Sequence, residues 1–176
     1  MTITSEVLTM GVTSWNSGQK SWKRSRRVLI RKLRILEREQ LVLLQEVKTW
    51  QDGIVENMRV LSEVGCDCAI LVPNNFGHVS DVVHGNYYSL ARVGSLGVGS
   101  IHFPHDRGAQ DVWSEILFGV RSKLNAWSDT GKIKSIVLGV DLNLTLPRRL
   151  ENISGNNVYD RRVKHPDRLH DIISFL

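Results

Sequence analysis

Four short polar groups break into apolar runs of this chain, and their residue types suit hydrolysis of a phosphate ester. Asn16 follows Trp15, Glu46 follows Gln45 in LVLLQE, His102 stands in SIHFPH, and Asp141 and Asn143 stand in LGVDLN. A hard divalent cation takes oxygen ligands and keeps several waters, so one or two carboxylates plus a substrate phosphate can hold Mg2+ or Mn2+. Glu46 is the candidate metal ligand. Asp141, held near an attacking water, could orient it and take its proton, while Asn143 donates to a phosphoryl oxygen without adding negative charge. His102 could donate to the same oxygens, with Pro104 fixing the chain as it leaves the strand. Each group also has a commonplace reading: Asp-x-Asn as a turn bonded to nearby backbone, Asn16 as a turn residue before Gly18, Glu46 as a solvated strand end, and His102 as a half-buried core histidine.

Such groups act together only if a packed scaffold brings them to one cleft. The sequence predicts a strand from Val7 to Trp15 with a turn at Asn-Ser-Gly, a buried strand over Leu41–Glu46, and another over Asp67–Val72 closed by Pro73. Tyr87–Val93 and Val98–Phe103 read as a hairpin joined through Gly94, Gly97 and Gly99, and Lys134–Val140 as a last buried strand. Strand alternation would set Asp141 and Asn143 on one face. Helices are expected over Ile54–Val64, stopped by Gly65, over Asp111–Trp127, where Val112, Ile116, Val120, Leu124 and Trp127 form an apolar stripe, and over His165–Leu176. Strands interleaved with helices, some in hairpins, imply an α/β (α+β) fold of mixed sheets flanked by helices.

The 176 residues are 41% apolar and 23% charged, enough for one sizeable core without disulfides, and a single domain over 1–176 is the expectation. No run approaches the roughly 20 apolar residues of a membrane span, and MTITSEVLTM lacks the build of a signal peptide. An intracellular protein with no membrane partner is expected, the nucleus being one location. Cys66 and Cys68 in CDC lack a second Cys/His pair and read as two half-buried thiols. The net charge is +5, but the window Lys20–Glu39 alone carries +7 and leaves the rest slightly acidic. Leu29, Leu33 and Leu36 make that window an amphipathic helix with a cationic outer face. Lys23, Arg24, Arg26 and Arg27 are its candidate nucleic-acid contacts, a solvated face being the alternative.

In their order, the motifs SWNSG, LVLLQEV, SIHFPH and LGVDLN resemble those of the endonuclease/exonuclease/phosphatase superfamily, which includes deoxyribonuclease I and the endonuclease domains of non-LTR retrotransposons. The resemblance spans about Thr9 to Leu176 and implies a four-layer sandwich of two packed mixed β-sheets flanked by helices. It also implies a metal-dependent endonuclease acting on nucleic acid, DNA by preference, as a monomer or part of a longer polyprotein. Asn16 and Glu46 would then sit at metal and phosphate, His102 would assist at the phosphate, Asp141 would position the water, and Asn143 would hold both Asp141 and the phosphoryl oxygen. Two departures are visible. Val140 separates the family's usual Gly-Asp, and the late Asp-His motif is missing from the short stretch after Asn143, so a C-terminally truncated domain lacking its final strands is expected. An inactive remnant and an inositol phosphate or other small-molecule phosphatase of the same superfamily are the alternative functions.

Overall fold

The computed structural model describes residues 11–16, 27–28, 31, 40–48, 50–105 and 110–143. Nine strands and one long helix are defined among them: β1 (Gly11–Asn16), β2 (Gln40–Gln45), β3 (Gly53–Val55), β4 (Met58–Leu61), β5 (Cys68–Pro73), β6 (Val79–Gly85), β7 (Tyr88–Val93), β8 (Leu96–His102), α1 (Gln110–Asp129) and β9 (Ser135–Asp141). The first sheet has the order β1-β2-β5-β4-β3 and the second β6-β7-β8-β9. Both are mixed. β1 runs parallel to β2 and β9 parallel to β8, while the other pairs are antiparallel. No helix among the described residues is long and apolar enough to cross a membrane.

The apolar runs of β2 and β5 have no polar face because both faces are covered. On β2 and β5, Leu41, Leu43, Ile70 and Val72 pack against Ala91, Val93 and Val98 of the second sheet. The alternate residues Val42, Leu44, Ala69 and Leu71 lie in a separate cluster with Trp50, Met58 and Val60. On the far side of the second sheet, α1 lays Trp113, Ile116, Val120, Leu124 and Trp127 on Leu90, Ile101 and Phe103. The sandwich therefore has an interior between the sheets and a helix-covered outer face, as the period-2 and period-3.6 patterns require.

The helix expected over Ile54–Val64 is instead the β3–β4 hairpin, with Val55 opposite Met58 and a two-residue turn at Glu56-Asn57. Ile54, Met58 and Leu61 mimic a helical stripe. Yet Met58, Val60 and Leu61 are buried while Arg59 is exposed, and pairing to β5 wins because it satisfies the strand backbone that β5 would otherwise leave open. β6, which no sequence pattern announced, is half-buried throughout and bulged between Ser80 and Val83. The basic helix expected over 20–39 falls largely outside the described residues, although Arg27, Val28 and Arg31 are helical and exposed. Lys23, Arg24, Arg26 and everything after Asn143, including the expected closing helix, also lie outside them.

Candidate functional site

The inner faces of four strands run out at one rim of the sandwich. On β1, Ser14 and Asn16 point between the sheets, and on β8 Ser100 and His102 do. On β9, Gly139 packs against Leu43, so two residues on Asp141 continues the same face. Glu46 follows inward-facing Gln45, and simple alternation would turn it away. Its backbone adopts φ 58 instead, a left-handed conformation costly for a non-glycine residue, and the carboxylate swings back to the rim.

The gathering is tight. Asn16 Nδ2 donates to Glu46 Oε1 at 2.9 Å and to Asp141 Oδ2 at 2.5 Å, one amide bridging two carboxylates. Ligand atoms of Glu46, His102 and Asp141 all lie within 4.8 Å of one another. Asn143 takes φ 47, and its backbone N–H donates to Asp141 Oδ1 at 3.1 Å. Alternation therefore does not set Asp141 and Asn143 together, as β9 ends at Asp141 and a left-handed turn brings Asn143 back. The Asn143 amide donates to Phe103 O at 2.9 Å and lies 3.0 Å from His102 Nε2. A carbonyl only accepts, so Nδ2 faces both atoms and His102 Nε2 is the acceptor. The ring proton of neutral His102 then sits on Nδ1, which donates to Asp67 Oδ2 at 3.2 Å. All five residues expected from sequence thus share one locus.

Asp67 was not singled out by sequence. It is 2% exposed, and its backbone is tied on both sides, its N–H to Asn86 O at 2.7 Å and its carbonyl accepting from Val47 N–H at 3.1 Å. The flanking cysteines anchor it further, Cys66 Sγ donating to Tyr88 O and Cys68 Sγ to Tyr87 O. Asp67 Oδ1 is buried without a hydrogen bond, and the half-exposed Lys48 ammonium stands 3.6 Å away. The signal available in the sequence was a carboxylate at the mouth of an apolar strand, hidden by the two cysteines around it.

Burial pushes both thiols upward, Cys68 well above its ordinary range with the neighbouring Cys66 adding to the effect. Both cysteines are free and buried. The native protein is expected to resist iodoacetamide at neutral pH and to label at both positions in urea. The unfolded chain releases thiol protons from about pH 8.5 whereas the native chain keeps them. Stability should therefore be full below that pH and fall as pH rises through the elevated native values, read as a lower urea midpoint. Fast native labelling would contradict the burial.

The donor set suits a hard divalent cation: two half-buried carboxylates facing one gap, a histidine at its side and a buried carboxylate behind that histidine. His102 Nε2 is already engaged by Asn143 and both Asp141 oxygens accept hydrogen bonds, which leaves the Glu46 carboxylate best placed to hold an ion beside Asp141.

No family profile matches the sequence, and no curated protein matches it. Solved structures do. The endonuclease domain of TRAS1, a telomere-specific non-LTR retrotransposon, is similar with a TM-score of 0.55 at 18% identity, over 96% of this chain and 69% of that one. The human Nocturnin catalytic domain aligns at a TM-score of 0.49 and 14% identity over 76% of this chain and 64% of its own. Caenorhabditis elegans TDP2 aligns at 0.48 and 17% over 86% of this chain and 50% of its own. By its structural likeness to that retrotransposon endonuclease domain, this chain has an endonuclease/exonuclease/phosphatase-type fold.

Proposed function

We propose that this chain is a metal-dependent phosphodiester hydrolase that cuts nucleic acid, DNA by preference, with Mg2+ or Mn2+ held at Glu46. The observation that carries this reading is the Asn16 amide shared between Glu46 and Asp141. Two carboxylates kept side by side repel one another, and an arrangement that holds them so is worth its cost where a cation is to be bound. A cation bound there would withdraw charge from a phosphoryl oxygen and so stabilise the charge that develops on attack.

The chain's own groups supply the rest. Asp141 is fixed by Asn16 and by the Asn143 N–H, so its carboxylate is aimed as a base that orients a water and takes its proton. Asn143 lies against His102 and offers its amide N–H toward a phosphoryl oxygen once substrate replaces that contact, and His102 Nε2 can donate there when it carries a proton. Asp67 stands behind His102 and holds its ring orientation. The nucleic-acid preference rests on the basic window that contains Lys23, Arg24, Arg26 and Arg27, whose phosphate contacts would be salt-dependent and sequence-independent. A similar fold in a retrotransposon endonuclease domain supports the same substrate class, and membership of that branch is part of the proposal.

The test is conversion of supercoiled plasmid to nicked circles by purified chain. Nicking is expected with Mg2+ or Mn2+, to be lost on chelation with EDTA and restored by added metal, and to fall by at least about 100-fold in Glu46→Gln. Nicking that survives chelation and the substitution would overturn the metal assignment. Release of phosphate from inositol phosphates without plasmid nicking would move the substrate to the small-molecule branch.

A further inference from the structure

Gln45 immediately precedes Glu46, yet it lies inside the sandwich at 2% exposure and cannot reach substrate. A buried carboxamide must find partners for two donors and an acceptor, and the partners here form a pattern. Gln45 Oε1 accepts from Ser14 Oγ at 3.2 Å, while Nε2 donates to Ser100 Oγ at 2.9 Å and lies 3.3 Å from the acceptor Gly139 O. Ser100 Oγ in turn donates to Leu44 O at 2.7 Å, returning the connection to β2. Ser14 is two residues before Asn16, Ser100 two before His102, and Gly139 two before Asp141.

Residues i and i+2 of a strand share a face, so each contact of this amide lies directly behind one side chain of the site. A slip of one residue in β1, β8 or β9 would break its bond to Gln45 and also turn its site residue to the opposite face. The close approach has its own requirement. A Cβ at position 139 would lie 2.7 Å from Leu43 Cβ and 3.0 Å from Ser14 Oγ, so only glycine lets the β9 backbone come in far enough.

We infer that Gln45 is a positioning residue: its amide links the four strand tips and sets the spacing of Asn16, Glu46, His102 and Asp141 across the two sheets. It acts through those groups and touches neither substrate nor metal. The inference rests on reading them as one metal centre, but one of its readouts needs no metal. Methionine matches glutamine in length and volume and leaves Ser100 its bond to Leu44 O, while the exposed Ser14 hydroxyl returns to water and Gly139 O loses its side-chain contact, so Gln45→Met isolates the link.

In the full chain, Gln45→Met is expected to keep its far-UV spectrum. The backbone amides of Phe103 and Asn143, which donate to Asp141, should exchange several-fold faster than in wild type, with those of β4 and β5 unchanged. Mn2+ affinity, read by water-proton relaxation, should weaken by about 10–100-fold, with kcat lowered and KM held. Unchanged exchange at Phe103 and Asn143, or equal acceleration across both sheets, would overturn the inference. Should Gln45→Met not fold, Ser14→Ala removes one arm from an exposed position and should move the same two amides in the same direction; no movement overturns the claim equally. A wild-type chain that binds no Mn2+ would defeat the functional reading instead, and the exchange measurement would still decide the role of Gln45.

Discussion

Asp141→Asn is expected to lower plasmid nicking by about 10²–10⁴-fold, the range a positioned general base contributes, while leaving the melting temperature equal to or above that of wild type. The substitution keeps the shape of the side chain and an oxygen that can accept the Asn143 N–H. It removes the basic lone pair and, on the Asn16 side, sets one amide donor against another. It also deletes one of two carboxylates whose oxygens face each other across less than 4.8 Å, which relieves repulsion in the metal-free protein. Activity and stability should therefore move apart, as they do where a functional site is held against its own electrostatics. A nicking assay beside a thermal melt checks both halves. Loss of activity together with a lower melting temperature would put the effect in folding, and activity close to wild type would remove Asp141 from the chemistry.

Much of this candidate site was readable because its residues stand at or just past the ends of strand-like runs. LVLLQ, LGVGSI and SIVLGV are largely apolar runs, so the polar Glu46, His102 and Asp141 at or beside their ends stand out, with Asn143 two residues past Asp141 and Asn16 closing GVTSWN. What alternation could not supply was direction at the two bends. Glu46 and Asn143 reach the rim through left-handed backbone; a glutamate gives no sign of a positive φ, and an asparagine tolerates one better than most residues without fixing it. The β3–β4 hairpin was misread for a related reason. Over eight residues, apolar spacing at 54, 58 and 61 fits a helix as well as it fits two short strands, and the arbiter is a tertiary partner, β5. β6 was missed because an edge strand with a bulge and uniform half-burial carries no period at all. Asp67 was overlooked since a carboxylate between two cysteines directs attention to sulfur chemistry, whereas here the thiols only bond to β7 carbonyls and hold the aspartate in place.

Asp67→Asn is the second substitution with a large expected effect, a fall in kcat of about 10–100-fold with little change in KM, as for loss of a partner that orients a functional histidine. Asp67 meets two groups at once, the His102 Nδ1–H at 3.2 Å on Oδ2 and the Lys48 ammonium at 3.6 Å from Oδ1. A carboxylate accepts from both. An amide cannot: with its oxygen toward His102 its NH2 confronts the Lys48 ammonium, and with its oxygen toward Lys48 its NH2 faces Nδ1. The second arrangement forces the ring proton onto Nε2, where the Asn143 amide already donates. Either way one conflict remains at a residue that is 2% exposed and has little room to turn. Lys48 is half-exposed, so Lys48→Met relieves the first conflict at small cost and frees the amide to face its oxygen to His102. The double substitution should recover part of the kcat lost in Asp67→Asn, giving a coupling that the two single substitutions do not sum to. Strictly additive losses would show that Lys48 and Asp67 act separately, and an unchanged kcat in Asp67→Asn would leave His102 to work without an aspartate behind it.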